Sequence, residues 1–198
     1  MVRRTQSERS DETTSALIAA AQDRFGRDGY RATSIETIAE AAGVTKGAAY
    51  HHFDGKADLF RAVFVREQEQ LVTVLDRVAA DAPDAWAALR AGCRTFLEHC
   101  LDQAFRQIVL LDGPAVLGWD GVRAIESAHV LRVLNGGMQV AAAEGVVAPD
   151  HIEARSRMIF GALCEAGMLL ARSEDPDAAL SAVLTEAERL LNAARVTR

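Results

Sequence analysis

The chain has 198 residues, of which 49% are hydrophobic and 25% are charged, and its formal net charge at pH 7 is −6. This is the composition of a folded protein and excludes an intrinsically disordered one. No apolar run approaches the ~20 residues that a membrane-spanning helix needs, and no signal peptide follows the N-terminal arginines. The three cysteines form no CxxC or Cys/His cluster, so we expect no metal site and no cofactor. We expect a cytoplasmic protein that does not bind membranes.

The first element is an amphipathic helix, which the sequence predicts over residues 10–27. Leu17, Ile18, Ala21 and Phe25 recur at the three- and four-residue spacing of one helix face. This apolar stripe predicts that the helix packs against the segment that follows.

Residues 33–59 predict two short helices joined by a tight turn, with a third helix directly after them. Thr33 and Ser34 can cap the first of these helices, because a side-chain hydroxyl satisfies a free backbone N–H there. Gly43 follows this helix, where a left-handed residue is favoured, and Thr45 can cap the second helix. Two helices around a short glycine-containing turn are typical of the helix-turn-helix, whose second helix enters the DNA major groove. The segment therefore predicts a DNA-binding unit.

The second helix of this motif offers side chains that suit contact with DNA. Lys46 can donate to guanine or to a phosphate. Gly47 and Ala48 are small, so the helix can lie deep in the groove, with Ala48 against a thymine methyl group. Tyr50 and His51 have polar tips that can reach phosphates. Metal binding by His51 and its neighbour is disfavoured, because adjacent helical residues diverge by about 100°.

Charge distribution decides whether this DNA-binding interpretation is electrostatically reasonable. Residues 1–60 contain 8 Lys and Arg against 9 Asp and Glu, although DNA-binding domains usually carry a basic excess. Lys56 lies at the start of the third helix, where a cation and the helix dipole can together bind a phosphate. Glu36 and Glu40 are expected to point to solvent. Three further cations form a basic arm ahead of the first helix: Arg3, Arg4 and Arg9.

The segment GYRATSIETIAEAAGVTKGAAYHHFDGKADLF, residues 29–60, resembles the DNA-binding domain of the TetR family of bacterial repressors. The matching elements are G-Y-x-x-T-S, I-A-x-x-A-G-V-T-K-G and Y-H-H-F-x-x-K-x-x-L, and the match extends over residues 13–64. The resemblance implies DNA contacts at Thr33, Thr45, Lys46, Gly47, Tyr50, His51 and Lys56. Ala48 departs from the polar base reader of some relatives. Together with Ser34 and Ala48, these residues are the candidate DNA-binding set.

The rest of the chain predicts helices only. Asp112-Gly113-Pro114 is expected to break the pattern, because proline lacks an N–H and disfavours a helical residue before it. Residues 115–121 are expected to form one turn or an irregular corner, and Gly136-Gly137 is a candidate kink. Helical periodicity covers the ranges 56–80, 84–102, 105–111, 122–144, 151–173 and 176–194.

The last two predicted helices form an αα-hairpin with wide apolar stripes. Small residues on the first of them, Gly161, Ala162, Ala166 and Gly167, would let two helices approach closely. We favour a two-fold homodimer interface, because helix-turn-helix proteins usually read symmetric half-sites. The alternative is that the hairpin only completes the core of its own chain.

The TetR resemblance also implies a small-molecule pocket among the C-terminal helices, although it does not identify the lining residues. Helical bundles hold ligands between helices, in pockets that are mostly apolar with a few polar groups. The expected effector is therefore small and apolar or amphipathic. Ordinary packing also explains each of the candidate lining residues taken alone: Trp86, Phe96, Cys100, Trp119, Met138, Glu165 and Met168.

These patterns predict an all-α protein with a helix-turn-helix DNA-binding domain over residues 1–55 and a helical ligand-binding and dimerisation domain over residues 56–198. The expected function is that of a ligand-responsive repressor that binds a palindromic operator in double-stranded DNA as a homodimer. The predicted helix 56–80 would connect the two domains. A constitutive DNA-binding dimer without an effector is the alternative. An enzyme is not expected, since G-x-S-x-G, H-E-x-x-H, P-loop and dinucleotide motifs are absent.

Overall fold

The computed structural model describes residues 6–196, with side chains from Ser10 onward, so the predicted arm at Arg3, Arg4 and Arg9 lies outside the described side chains. Within this range the structure is helical, and the only extended pairing is one antiparallel bridge between Val147 and Arg195. The all-α prediction is confirmed. The helices are α1 (Gln6–Ala32), α2 (Ile35–Ala41), α3 (Lys46–His52), α4 (Lys56–Ala80), α5 (Ala85–His99), α6 (Gln103–Phe105, continuing as a π-helix over Arg106–Asp112), α7 (Gly113–Ala128), α8 (Val130–Ala143), α9 (Ile152–Arg172) and α10 (Pro176–Asn192).

The helices form two compact units, each built from two separate stretches of chain. The first unit contains the described residues up to Glu67 together with Gln103–Gly118, and the second unit contains Gln68–Asp102 together with the described residues from Trp119 onward. Helix α4 therefore contributes residues to both units. The predicted domain boundary between residues 55 and 56 stays a prediction.

The core of the first unit forms where α1 packs against α4 and the 103–118 segment. Phe25 and Phe60 are fully buried, and their rings meet edge to face with centroids 5.2 Å apart. Gly26 allows a close helix contact, because a Cβ at this position would lie only 2.7 Å from the Cβ of Ala104. The apolar stripe predicted for α1 is therefore the face that this unit buries.

The predicted break at residues 112–114 is wrong, whereas the irregular corner predicted over 115–121 is confirmed only at Gly118. Helix α7 begins at Gly113 directly after the π-helix, and Gly113 itself has right-handed helical geometry, so the helical backbone continues through Pro114. The backbone departs from helical geometry at Gly118, with φ of 69°. The short helix predicted over 105–111 is mostly π-helical, and a π-helix is rare elsewhere in proteins.

The second unit is a bundle in which α5 packs against α8 and α9, and α9 packs against α10. The single helix predicted over 122–144, with a kink at Gly136-Gly137, is wrong in its geometry. The interruption lies at His129, with φ of −120° and ψ of −98°, and α8 continues through both glycines. Gly137 has a packing role, since a Cβ there would lie 3.0 Å from Leu89. No described helix is both long enough and apolar enough to cross a membrane.

Candidate nucleic-acid interface and ligand cavity

Helix α2 begins with a reciprocal cap at Ser34, as the sequence predicted. The Ser34 hydroxyl accepts a hydrogen bond from the Thr37 N–H at 3.2 Å, and the Thr37 hydroxyl accepts one from the Ser34 N–H at 3.2 Å. This capping box fixes the start of the helix. The cap predicted at Thr33 is wrong. Its hydroxyl donates to the Gly29 carbonyl at 2.8 Å, and Thr33 is only 4% exposed, so it closes the end of α1.

The turn between α2 and α3 has the predicted helix-turn-helix geometry. Gly43 adopts a left-handed conformation with φ of 69°, and the Val44 N–H donates to the Ala39 carbonyl at 3.0 Å. Thr45 caps α3 by accepting a hydrogen bond from the Ala48 N–H at 3.1 Å. Ala49 is buried and anchors α3 to the unit. These contacts fix which face of α3 points outward.

The outward face of α3 carries most of the side chains that the sequence selected. Lys46, Gly47, Tyr50 and His51 are all exposed, whereas Ala48 is half-buried. Gly47 is not required by packing, since the nearest atom to a Cβ there would be the Thr45 hydroxyl at 3.9 Å. A glycine inside a helix costs about 0.5–1 kcal/mol relative to alanine. The fold gives no internal reason for that cost, whereas close approach of an external surface would.

Lys46 forms an ion pair that sequence analysis missed. Its Nζ lies 2.6 Å from Oε1 of Glu36 on α2. The hydrogen bond from Lys46 lowers the pKa of the Glu36 carboxyl, and the same contact raises the pKa of Lys46. The Glu36 side chain is 50% exposed, in line with the expected solvent-facing position, but its carboxylate also pairs with Lys46. The pair crosses the turn between two helices, so helical periodicity carries no signal for it.

Lys56 holds the chain that leads into α2. Its Nζ donates to the carbonyl oxygens of Tyr30 and Thr33, at 2.8 Å in each case, and lies 4.1 Å from the centre of the Tyr30 ring. From the other side, the Asp112 carboxylate accepts a hydrogen bond from the Tyr30 N–H at 2.8 Å. Two of the three ammonium protons of Lys56 are thus used within the fold. The phosphate contact predicted for Lys56 stays a prediction.

The second unit contains a cavity of about 610 Å³ between the end of α4 and helices α5, α8 and α9. Small residues on facing helices create this space, among them Ala88 and Gly92 on α5 and Gly136 on α8. Its charged lining residues, Asp76, Asp84 and Arg132, are exposed. Its large apolar lining residues include Leu75, Leu89, Phe96, Val133, Phe160 and Leu163.

Of the predicted ligand-binding residues, only Phe96 lines this cavity. Cys100 and Met138 are fully buried in the core. Trp119 is 62% exposed beside Arg123, and the Trp86 ring is covered by the guanidinium of Arg195 at 5.1 Å. Glu165 is exposed and Met168 half-buried, both on α9. Ligand contact by these six residues stays a prediction. The useful sequence signal was the run of small residues on α5 and α8, rather than the aromatic ones.

Two protein-family models match the chain, one over the helix-turn-helix region and one over the C-terminal helices. Residues 17–63 match the model described as bacterial regulatory proteins, tetR family. Residues 86–194, more than half of the chain, match the model described as Tetracyclin repressor-like, C-terminal domain. The chain belongs to the TetR family. The resemblance inferred from the helix-turn-helix residues is confirmed.

Individual relatives agree with this assignment. The HTH-type transcriptional regulator TtgR of Pseudomonas putida is 36% identical over 110 residues, which are 56% of this chain and 49% of TtgR. The TetC protein of transposon Tn10 from Escherichia coli is 28% identical over 130 residues, 66% of each chain. The chain thus spans between about half and two thirds of the length of these curated relatives. A TetR-family regulator from Pectobacterium atrosepticum superposes with a TM-score of 0.85 at 32% identity, over 98% of this chain and 99% of that one.

Proposed function

We propose that this TetR-family chain is a transcriptional repressor that binds a palindromic operator as a homodimer and releases it when a small molecule binds. The observation that carries the DNA-binding part is the outward face of α3, where Lys46, Gly47 and Tyr50 surround a helix N-terminus. The first turn of α3 contains no acid, so its positive dipole is not opposed from within the turn. The proposal contains no catalytic step.

The α3 face suits the major groove for geometric reasons. The N-terminal residues of a recognition helix contact base edges, and Lys46 and Gly47 are the first two residues of α3. Gly47 lets the groove approach the backbone, and Lys46 can donate to guanine or phosphate. The relatives TtgR and TetC support the proposal by their similarity, and TtgR is described as a transcriptional regulator.

A homodimer through the C-terminal hairpin follows from the apolar surface that α9 and α10 leave open. Met158 is 77% exposed and Leu169 is 55% exposed on α9, and Leu190 is exposed on α10. Ala162 is also exposed and lies between the two large α9 residues, so a second helix could approach closely there. A two-fold axis would place the same apolar face of a second copy against this one. Such a dimer would present two copies of α3 to a palindromic site.

A small apolar or amphipathic effector would fit the cavity of the second unit. Cavities that hold small molecules commonly measure about 300–1,000 Å³, and this one measures about 610 Å³. Burial raises the pKa of the lining thiol Cys93 to about 12, so it is neutral near pH 7. The charged groups Asp76, Asp84 and Arg132 are exposed, where the polar end of an amphipathic ligand could remain in water. This cavity favours a ligand-responsive regulator over a constitutive one.

Selection of binding sites from random double-stranded DNA tests the proposed function. The expected product is an enriched palindrome whose half-sites are separated by about one helical turn, ~34 Å, or a multiple of it. Sedimentation of the protein on the selected duplex should show two chains or a multiple of two. Failure to enrich any sequence, with folded protein, would contradict the proposal. A ligand screen by thermal shift, run on the same protein, then identifies compounds for the effector part.

A further inference from the structure

Lys46, the first residue of α3, forms an ion pair with Glu36 within the protein. Lys46 is 59% exposed and Glu36 is 50% exposed, so the ion pair lies at the surface. The pKa of Glu36 is lowered and that of Lys46 is raised by their contact, so both groups are charged near neutral pH. A DNA phosphate that approaches Lys46 therefore meets a carboxylate already bound to the same ammonium.

Both partners of the pair stand on helix starts that are fixed by caps. Glu36 is the second residue of α2, directly after the capping box at Ser34. Lys46 directly follows Thr45, which caps α3. The backbone bond from Val44 to Ala39 holds the turn between the two helices. Because the two backbones are fixed, less conformational entropy is lost when the side chains meet than in a pair joined by a mobile loop.

We propose that Glu36 competes with DNA for Lys46, and that this competition lowers the affinity of the protein for DNA of arbitrary sequence. The inference rests on the proposed DNA-binding function of α3. A phosphate can bind Lys46 only by displacing the Glu36 carboxylate, which offsets most of the free energy that the new contact gains. On DNA of arbitrary sequence Lys46 therefore stays paired with Glu36, releases no counterion from the DNA and adds little to nonspecific binding. At the correct operator, further contacts along α3 offset the cost of displacing Glu36 from Lys46. Other DNA sequences lack these contacts and meet the negative charge of Glu36, so specificity increases.

The test compares Glu36→Gln with Glu40→Gln, which removes an equal charge from an exposed position on the same helix. Binding to a random-sequence duplex is measured by fluorescence anisotropy over a series of salt concentrations. In Glu36→Gln, the plot of log K against log salt should steepen by about 0.9, which corresponds to about 3.5-fold more loss of affinity between 50 and 200 mM salt. Binding at low salt should be tighter than wild type. Equal slopes for Glu36→Gln and wild type, or the same steepening in Glu40→Gln, would overturn the inference.

A double-mutant comparison shows whether the effect passes through Lys46. In a Lys46→Ala background, Glu36→Gln should leave the salt slope unchanged, because no ammonium is left to release. If the steepening persists there, Glu36 repels DNA in general and the inference is wrong. Weaker binding by Glu36→Gln would also refute it, since Glu36 would then orient Lys46 for contact. Thermal unfolding confirms that each variant is folded. Lack of any DNA binding by the wild-type protein would instead refute the proposed function.

Discussion

The first unit and the second unit differ in what fixes their backbone. In the first unit, directional bonds to backbone groups hold the lead-in to α2, because Lys56 binds two carbonyl groups and Asp112 binds the Tyr30 N–H. In the second unit, small residues on α5 and α8 leave a cavity of about 610 Å³, and α9 exposes large apolar side chains. Directional hydrogen bonds thus hold the part of the first unit that is proposed to contact DNA. The part proposed to bind an effector and a second chain leaves room for both.

The largest expected effect concerns the exposed apolar face of the second unit. Leu169→Glu would bury an unpaired charge in the proposed α9 interface and should weaken the homodimer by about 3 kcal/mol or more. Sedimentation velocity over a range of protein concentrations measures this dissociation. Trp119→Glu is the control, since Trp119 is also an exposed apolar residue (62% exposed, against 55% for Leu169) but lies on α7. A Leu169→Glu protein that remains as dimeric as the control would place the interface elsewhere.

Substitution of Lys56, compared with substitution of Lys46, tests whether the hydrogen bonds from Lys56 to two backbone carbonyls stabilise the first unit. Lys56→Ala removes two hydrogen bonds to backbone carbonyls and should lower the free energy of unfolding by about 2 kcal/mol. Lys46→Ala removes only an exposed ion pair and should lower the free energy of unfolding by less than Lys56→Ala does, because such pairs add little to stability. Both should weaken operator binding. Chemical denaturation of the two variants separates them, and equal stability would mean that Lys56 has no structural role.

The coupling free energy between effector binding and operator binding is expected to be similar to or smaller than the stability loss in Lys56→Ala. An effector bound in the cavity should weaken operator binding at α3, and the operator should weaken effector binding by the same factor. The corresponding coupling free energy is typically about 1–3 kcal/mol. Helix α4 contributes residues to both units, as does α7, which is kinked at Gly118. Titration of a cavity ligand with and without operator DNA measures this coupling. Equal ligand affinity in the two titrations would support the constitutive alternative.

The smallest effects come from two glycines that have open space around a Cβ. Gly136→Ala on α8 should stabilise the protein by about 0.5–1 kcal/mol, because the helix loses a flexible residue and no atom is within 4 Å. Gly43→Ala should destabilise it by about 1 kcal/mol, because φ of 69° is left-handed there. Thermal unfolding of the pair gives both values. Changes of the same sign would mean that backbone conformation does not decide these positions.

The sequence predicts the first unit better than the second for a physical reason. The Ser34 and Thr45 caps and the left-handed Gly43 are local features, so adjacent residues contain the information. The ion pair between Glu36 and Lys46 depends on how two helices meet, and periodicity within one helix does not contain it.

The ligand cavity also depends on distant residues. It is enclosed by four helices, and Phe96 could be selected from the sequence only because it is large and apolar. Trp119 and Met138 are also large and apolar, but Trp119 lies at the surface and Met138 lies in the packed core. The break at His129 follows no glycine or proline signal, so the kink was predicted at Gly136 and Gly137 instead.

The hydrogen bond between Tyr30 and Asp112 joins residues that are 82 positions apart in the chain. A ribosome therefore releases the whole helix-turn-helix long before it makes the carboxylate that holds its lead-in. The Gly26 contact with Ala104 is delayed in the same way. Because chains fold as they emerge, the first unit reaches its final form only after the residues up to Gly118 have been synthesised. Until then, part of the second unit's sequence has already left the ribosome, and the first unit lacks the contacts that the 103–118 segment supplies.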